Sequence, residues 1–264
     1  MGIDRRRLLA LVGTGVTAVA GCTRGSTVGS TDPPVDSTTP EPLAKHGVPS
    51  TICAEDPAAN PGIPAIVEPA FARDWAAITV PERYRSDPSV DGLTPEQTVI
   101  GLVIDGQARA YPLEVLYYHE IVNDRIDTAT TDRSILVSFC PLCNSGMVAD
   151  RTIDGTPTEF IVSGLLWKPP RLEQSASVVA NRTFGAGRRN GSTAVSHSGN
   201  LVMIDRATGS YWSQILAQAI CGPLRGRQLS IIPSTVTTWQ DWQATAPETE
   251  VLLPPPHSRH VAGN

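Results

Sequence analysis

Apolar positions along the chain come in short runs broken by turn residues, and no stretch keeps a helical period of three to four residues for long. The run from Thr98 to Asp105 (TVIGLVID) predicts a buried strand, and Gly106 turns it into Gln107 to Tyr111, a hairpin pattern. Pro112, tolerated at a first helical position, opens a short helix through Leu113, Val115, Leu116 and Tyr117 that should end on His119 and Glu120. A second apolar strand from Ser134 to Phe139 runs straight into Cys140-Pro-Leu-Cys143. Shorter strands are expected at Met147 to Ala149, Glu159 to Val162, Leu201 to Asp205, Gln228 to Ile232 and Val251 to Leu253, with a helix from Thr237 to Ala246. The pattern predicts an α+β, β-rich fold: one compact domain of short strands with a few short helices.

The two ends of the globular stretch read differently. Residues 1–22 have the layout of an export signal, with Arg5, Arg6 and Arg7 followed by an apolar run from Leu8 to Gly21. That run is shorter than the roughly 20 residues a membrane span needs. Val19-Ala-Gly-Cys22 resembles a lipobox, and Arg5-Arg6 followed by Leu8-Leu9 resembles a twin-arginine export signal. The expectation is a lipoprotein held through lipid on Cys22 at the extracytoplasmic face of the cell membrane. Residues 23–49 are rich in Ser, Thr and Pro and read as a tether, followed by a globular domain over 50–255 and a flexible tail at 256–264. Within the domain, residues 168–199 read as a surface loop that carries glycosylation acceptor patterns at Asn181 and Asn190. With 21 Lys+Arg against 26 Asp+Glu, the chain lacks the basic surplus of a nucleic-acid binder, and the sequence leaves any protein partner unknown.

Of the five cysteines, four remain once Cys22 is assigned to the lipid. Cys140 and Cys143, two residues apart, can face one way from a tight turn, to grip a metal ion or to close a disulfide. In a metal site their thiolates would need a further ligand; His119 is the first candidate, Cys221 and Glu120 weaker ones, and the donor types suit copper or zinc. In an oxidising compartment the four could instead pair as Cys140 with Cys143 and Cys53 with Cys221, one of three connectivities. A third chemistry is thiol exchange, with His119 lowering the pKa of the attacking thiol. Metal binding leads, and thiol–disulfide oxidoreductase activity and a non-enzymatic binding module with structural disulfides stay open beside it. His257 and His260 are expected in the exposed tail and His197 in the loop. Asp205, Arg206, Trp212 and Gln214 read either as a ligand surface or as a salt-bridged turn. No zincin pair, nucleophile elbow, phosphate loop or haem-attachment motif is present.

Five ordered blocks then carry a resemblance: Ala110-Tyr-Pro-Leu113, His119-Glu-Ile-Val-Asn-Asp124, Phe139-Cys-Pro-Leu-Cys143, Val162-Ser-Gly-Leu-Leu166 and Asp205-Arg-Ala-Thr-Gly-Ser-Tyr-Trp-Ser-Gln214. Over roughly residues 62–253 the chain resembles the DUF3179 family of uncharacterised, mostly exported prokaryotic proteins. The resemblance implies one domain in which His119, Glu120, Cys140, Cys143, Asp205, Arg206 and Trp212 share a site or core, and it supplies no activity. Asn144 stands where the family usually has Gly, and the loop at 168–199 looks inserted.

Overall fold

The computed structural model describes residues 48, 50–57, 61–90, 92–167 and 200–261. The expectations for the signal with Cys22, for all of the tether but Val48, and for the loop 168–199 with Asn181 and Asn190 lie outside the described residues.

In chain order the elements begin with β1 (Ala65–Glu68), β2 (Phe71–Ala72), β3 (Thr98–Ile104), β4 (Gln107–Pro112) and α1 (Leu113–His119). They continue through β5 (Ile121–Asp127), β6 (Asp132–Cys140), β7 (Ser145–Asp150), β8 (Thr152–Ile153), β9 (Thr156–Pro157), β10 (Phe160–Trp167) and β11 (Asn200–Asp205). The last are β12 (Tyr211–Ser213), β13 (Gln218–Cys221), β14 (Thr235–Thr238), α2 (Trp239–Thr245), β15 (Glu250–Leu252) and β16 (Arg259–Val261). Among the described residues three sheets form, in the orders β16-β1-β5-β6-β7, β14-β3-β4-β15-β2 and β10-β11-β12-β13, with a small β8-β9 ribbon beside them.

The first sheet is the middle layer. One of its faces contributes Val122, Ile126, Ile135, Val137, Phe139 and Val148 to a core shared with Val99, Ile100, Leu102, Tyr111 and Val251 of the second sheet. Its other face sets Ile121, Leu136, Cys140, Met147 and Ala149 against Phe160, Val162, Leu201, Met203 and Trp212 of the third. Successive residues of a strand point to opposite faces, so a strand buried on both sides must be apolar almost without interruption. That explains SILVSF in β6, where every residue from Ser134 to Cys140 is buried. It also sends Leu136 and Cys140 towards the third sheet, in phase with Ser138 between them.

Turn chemistry fits the hairpins. Asp105 and Gly106 both have positive φ, 47° and 81°, as a two-residue turn between twisted strands requires, and Asp154-Gly155 repeats the device between β8 and β9. In α1, Pro112 stands at the N-cap, and Glu120 closes the helix with φ 54°, its N–H donating to the Leu116 carbonyl at 2.8 Å.

Three expectations need correction. Among the described residues strand accounts for 44% and helix for 11%, so the expected β-rich character holds but the fold is mostly β rather than clearly α+β; the α-helices Leu113–His119 and Trp239–Thr245 are seven residues each. Gln228 to Ile232 makes only isolated bridges, Gln218 with Gln228 and Ala149 with Ile231, because it crosses between sheets instead of extending one. Arg259–Val261, expected in the flexible tail, pairs antiparallel with β1, where edge hydrogen bonds hold it despite its polar side chains.

Candidate functional site

Cys140 ends β6 and pairs across the hairpin with Ser145, the first residue of β7. The four-residue connection returns tightly, the Cys143 N–H donating to the Cys140 carbonyl at 3.2 Å, and the two sulfurs are joined in a disulfide with Cα atoms 5.3 Å apart. Asn144 takes a left-handed φ of 49°. Glycine adopts that region without cost, and asparagine is among the few other residues that enter it readily, so the departure from the family's Gly leaves the turn intact. Cys140 is buried at 1% exposure, whereas Cys143 is partly exposed and Leu142 is exposed at 40%.

A buried amide from the third sheet braces this tip. Gln214 follows β12, and its side chain donates from Nε2 to Ser138 Oγ and to the Ser145 carbonyl, both at 3.2 Å. Its Oε1 accepts from Ser145 Oγ at 3.0 Å and from Asn200 Nδ2 at 3.2 Å. The Ser145 carbonyl can only accept, which fixes the amide's orientation. Asn200 is held in turn, its Oδ1 accepting from Ser213 Oγ at 3.0 Å and the Ile215 N–H at 2.8 Å. Ser138, Ser145 and Asn200 carry no sequence signal of their own; only the family block ending at Gln214 pointed towards this network.

His119 is committed elsewhere. The Pro64 carbonyl, 2.7 Å from Nδ1, can only accept, so Nδ1 carries the proton and Nε2 accepts from the Tyr84 hydroxyl at 2.7 Å. Burial strips water from the imidazole and lowers its pKa from 6.5 to about 4; the Pro64 bond opposes this, and neighbouring His260 and Arg83 add to it. His260 is exposed, as expected, but sits on β16 rather than in a frayed tail, its ring 5.5 Å from that of His119. A neutral imidazole is not the cation that the thiol-exchange reading asked of His119. Nor do Cys140, Cys143 and His119 assemble as the expected copper or zinc ligands: among the described residues no group of three or more His, Cys, Asp or Glu side chains is placed to hold a metal ion.

The remaining candidates shape the fold. Glu120, buried, closes α1 and accepts the Phe139 N–H at its carbonyl, at 2.8 Å. Asp205 is fully buried, its carboxylate accepting from the Thr208 N–H at 2.7 Å and from Trp212 Nε1 at 2.8 Å, so it organises its own turn. Arg206 pairs with Glu159 on the surface at 2.8 Å. The salt-bridged turn is therefore the arrangement these residues adopt. Cys221 is joined to Cys53, tying the 3-10 turn Ser50–Ala54 to β13 across a sequence separation of 168. Sequence reasoning missed a buried cluster between the first two sheets: Asp124 accepts from Tyr111 Oη at 2.6 Å and from Arg109 Nη1 at 2.5 Å. Burial, then the Asp124 carboxylate, push the Tyr111 phenol well above its usual pKa, so it stays a protonated donor.

No match was found among curated proteins or solved structures. Residues 60–171 and 177–261 match the family described as a protein of unknown function, DUF3179, so that only 172–176 of the surface loop fall between the matched stretches. The hairpin with its cysteine pair, the polar brace behind it and the buried Asp124 and Asp205 clusters all lie inside that match, and the chain belongs to the DUF3179 family.

Proposed function

We propose that this protein is a lipid-anchored, extracytoplasmic thiol–disulfide exchange protein whose reactive group is the Cys140–Cys143 pair. The observation that carries the reading is the asymmetry of that pair at a hairpin tip, with Cys140 buried and Cys143 partly exposed. His119, Asp205, Arg206, Trp212 and Cys221 are each engaged in bonds that shape the fold. The loop lengths separate the two disulfides by role. In the chain-entropy description, a crosslink at the 168-residue separation of Cys53 and Cys221 contributes about 5 kcal/mol, and one at separation 3 about 2 kcal/mol. As a staple, the second pair adds little that the hairpin ladder does not already supply. Disulfides also accord with the oxidising location expected from the signal and the Cys22 lipobox.

The chemistry follows from access. A thiolate of a partner protein attacks the Cys143 sulfur, the Cys140–Cys143 bond breaks and Cys140 leaves as a thiolate. A second partner thiolate then attacks the partner sulfur of the mixed disulfide and releases Cys143. The partner gains a disulfide, and its two thiol protons end on Cys140 and Cys143. Exchange with a disulfide of another protein restores the oxidised pair. In this scheme Cys143 is the attacked sulfur and Cys140 the buried resolving one.

Native exposure to a small dithiol followed by alkylation tests the reading. Two thiols per chain, on Cys140 and Cys143, should be labelled while Cys53–Cys221 stays closed, and Cys140→Ser should trap mixed disulfides through Cys143. A pair that is reduced only after the protein unfolds would sink the proposal.

A further inference from the structure

We infer that Gln214 is a positioning residue that sets how firmly the Cys140–Cys143 pair stays oxidised; this rests on the reading of that pair as the reactive group. The argument is one of placement. Ser138 lies two residues before Cys140 and Ser145 two residues after Cys143, and one amide holds both, through Nε2 to Ser138 Oγ and the Ser145 carbonyl and through Oε1 from Ser145 Oγ. Gln214 sits in the turn after β12, where its own N–H donates to the Leu201 carbonyl at 3.0 Å and Asn200 grips its Oε1, so the brace is anchored outside the hairpin it grips.

Two thiols released from a disulfide gain freedom when the segments that carry them part, here the end of β6 at Cys140 and the turn at Cys143 that leads into β7. The last ladder position here is Cys140 opposite Ser145, and Gln214 restrains both strands beside it. A restrained dithiol keeps its sulfurs opposed, loses less entropy on closing and favours the disulfide; this is preorganisation applied to a covalent bond. A buried amide that merely needed partners could have found them on one strand. This one spends its bonds on both sides of the reactive turn.

The test is an equilibrium. The oxidised pair and two glutathione thiols give two protein thiols and glutathione disulfide; two electrons enter the protein, and the two thiol protons end on Cys140 and Cys143. The purified protein is equilibrated in graded glutathione buffers, quenched in acid and alkylated, and thiols are counted by mass. Gln214→Ala should lower the equilibrium constant for closing the pair by about tenfold, which is about 30 mV for a two-electron couple. Gln214→Glu, which keeps the acceptor but loses both donors, should follow it. Val202→Ala, a cavity in the same sheet at a fully buried position, should lower stability and leave the constant within about twofold of wild type. A Gln214→Ala constant within about twofold of wild type overturns the inference, and so does an equal shift in Val202→Ala. Should Gln214→Ala fail to fold, Ser145→Ala decides: removing one arm of the brace should shift the constant about threefold, and no shift overturns the inference. The rate at which the wild-type pair reacts judges the exchange activity and the equilibrium constant judges Gln214, so the two can fail separately.

Discussion

Acidification should unfold this protein in part through one residue. His119 is 2% exposed and neutral, with Nδ1 donating to the Pro64 carbonyl and Nε2 accepting from Tyr84. Its pKa lies at about 4 in the fold against 6.5 in the unfolded chain. Between those values the unfolded chain binds the proton and the folded one resists it. The contribution is therefore complete above pH 6.5 and is lost as pH falls towards 4. At about 1.4 kcal/mol per pKa unit, the gap amounts to about 3 kcal/mol by pH 4, a large share of the stability of a typical domain. Urea denaturation followed by tryptophan fluorescence, repeated from pH 7.5 to 4, reads this loss, since Trp75, Trp212, Trp239 and Trp242 are buried reporters. Carboxylates titrate over the same range, so the informative quantity is the difference from His119→Gln. The variant should start less stable at pH 7.5 and lose about 3 kcal/mol less on acidification. Parallel losses in the two proteins would refute the reasoning, as would an NMR titration placing the imidazole near 6.5.

Two further outcomes follow from the packing. Replacing Cys53 and Cys221 by Ser should cost up to about 5 kcal/mol in urea denaturation, and replacing Cys140 and Cys143 no more than about 2 kcal/mol; equal losses would contradict the assignment of the first pair as the staple. Trp212→Phe removes the Nε1 donor from the buried Asp205 carboxylate and should cost about 1–3 kcal/mol at constant m-value, whereas a neutral result would mean that Thr208 suffices alone.

Legibility from the sequence followed the physics of each strand. β3, β6 and β11 were visible because they are buried nearly throughout and must read as apolar runs. The hairpin of β3 and β4 and the start of α1 were visible because Gly106 and Pro112 impose local geometry. β5 was not: IVNDRID places Asn123 and Asp124 in the interior, where each is matched by a partner that only the folded chain brings near. Asn123 braces the Ile66 and Phe160 carbonyls at 3.1 and 2.9 Å, and Asp124 takes up Tyr111 and Arg109. β16 was hidden for the opposite reason, since Arg259 and His260 are exposed and the strand is held by backbone pairing that no side-chain pattern encodes. Of the site, the cysteine pair could be read locally. The brace from Gln214 could not, because Ser138 and Ser145 are 76 and 69 residues away from it in the chain.

The bond from Cys53 to Cys221 also decides how the protein bears tension. Any pull transmitted from residues upstream enters the third sheet at β13 through a covalent link and bypasses the chain between the two cysteines. An oxidised molecule stretched from its ends can therefore release only the segments outside that closed ring. Opening the ring adds a separation of 168 residues, on the order of 600 Å of extended chain, that had been mechanically silent. Force applied at the two ends would leave the Cys140–Cys143 hairpin, which lies wholly within the ring, out of its line.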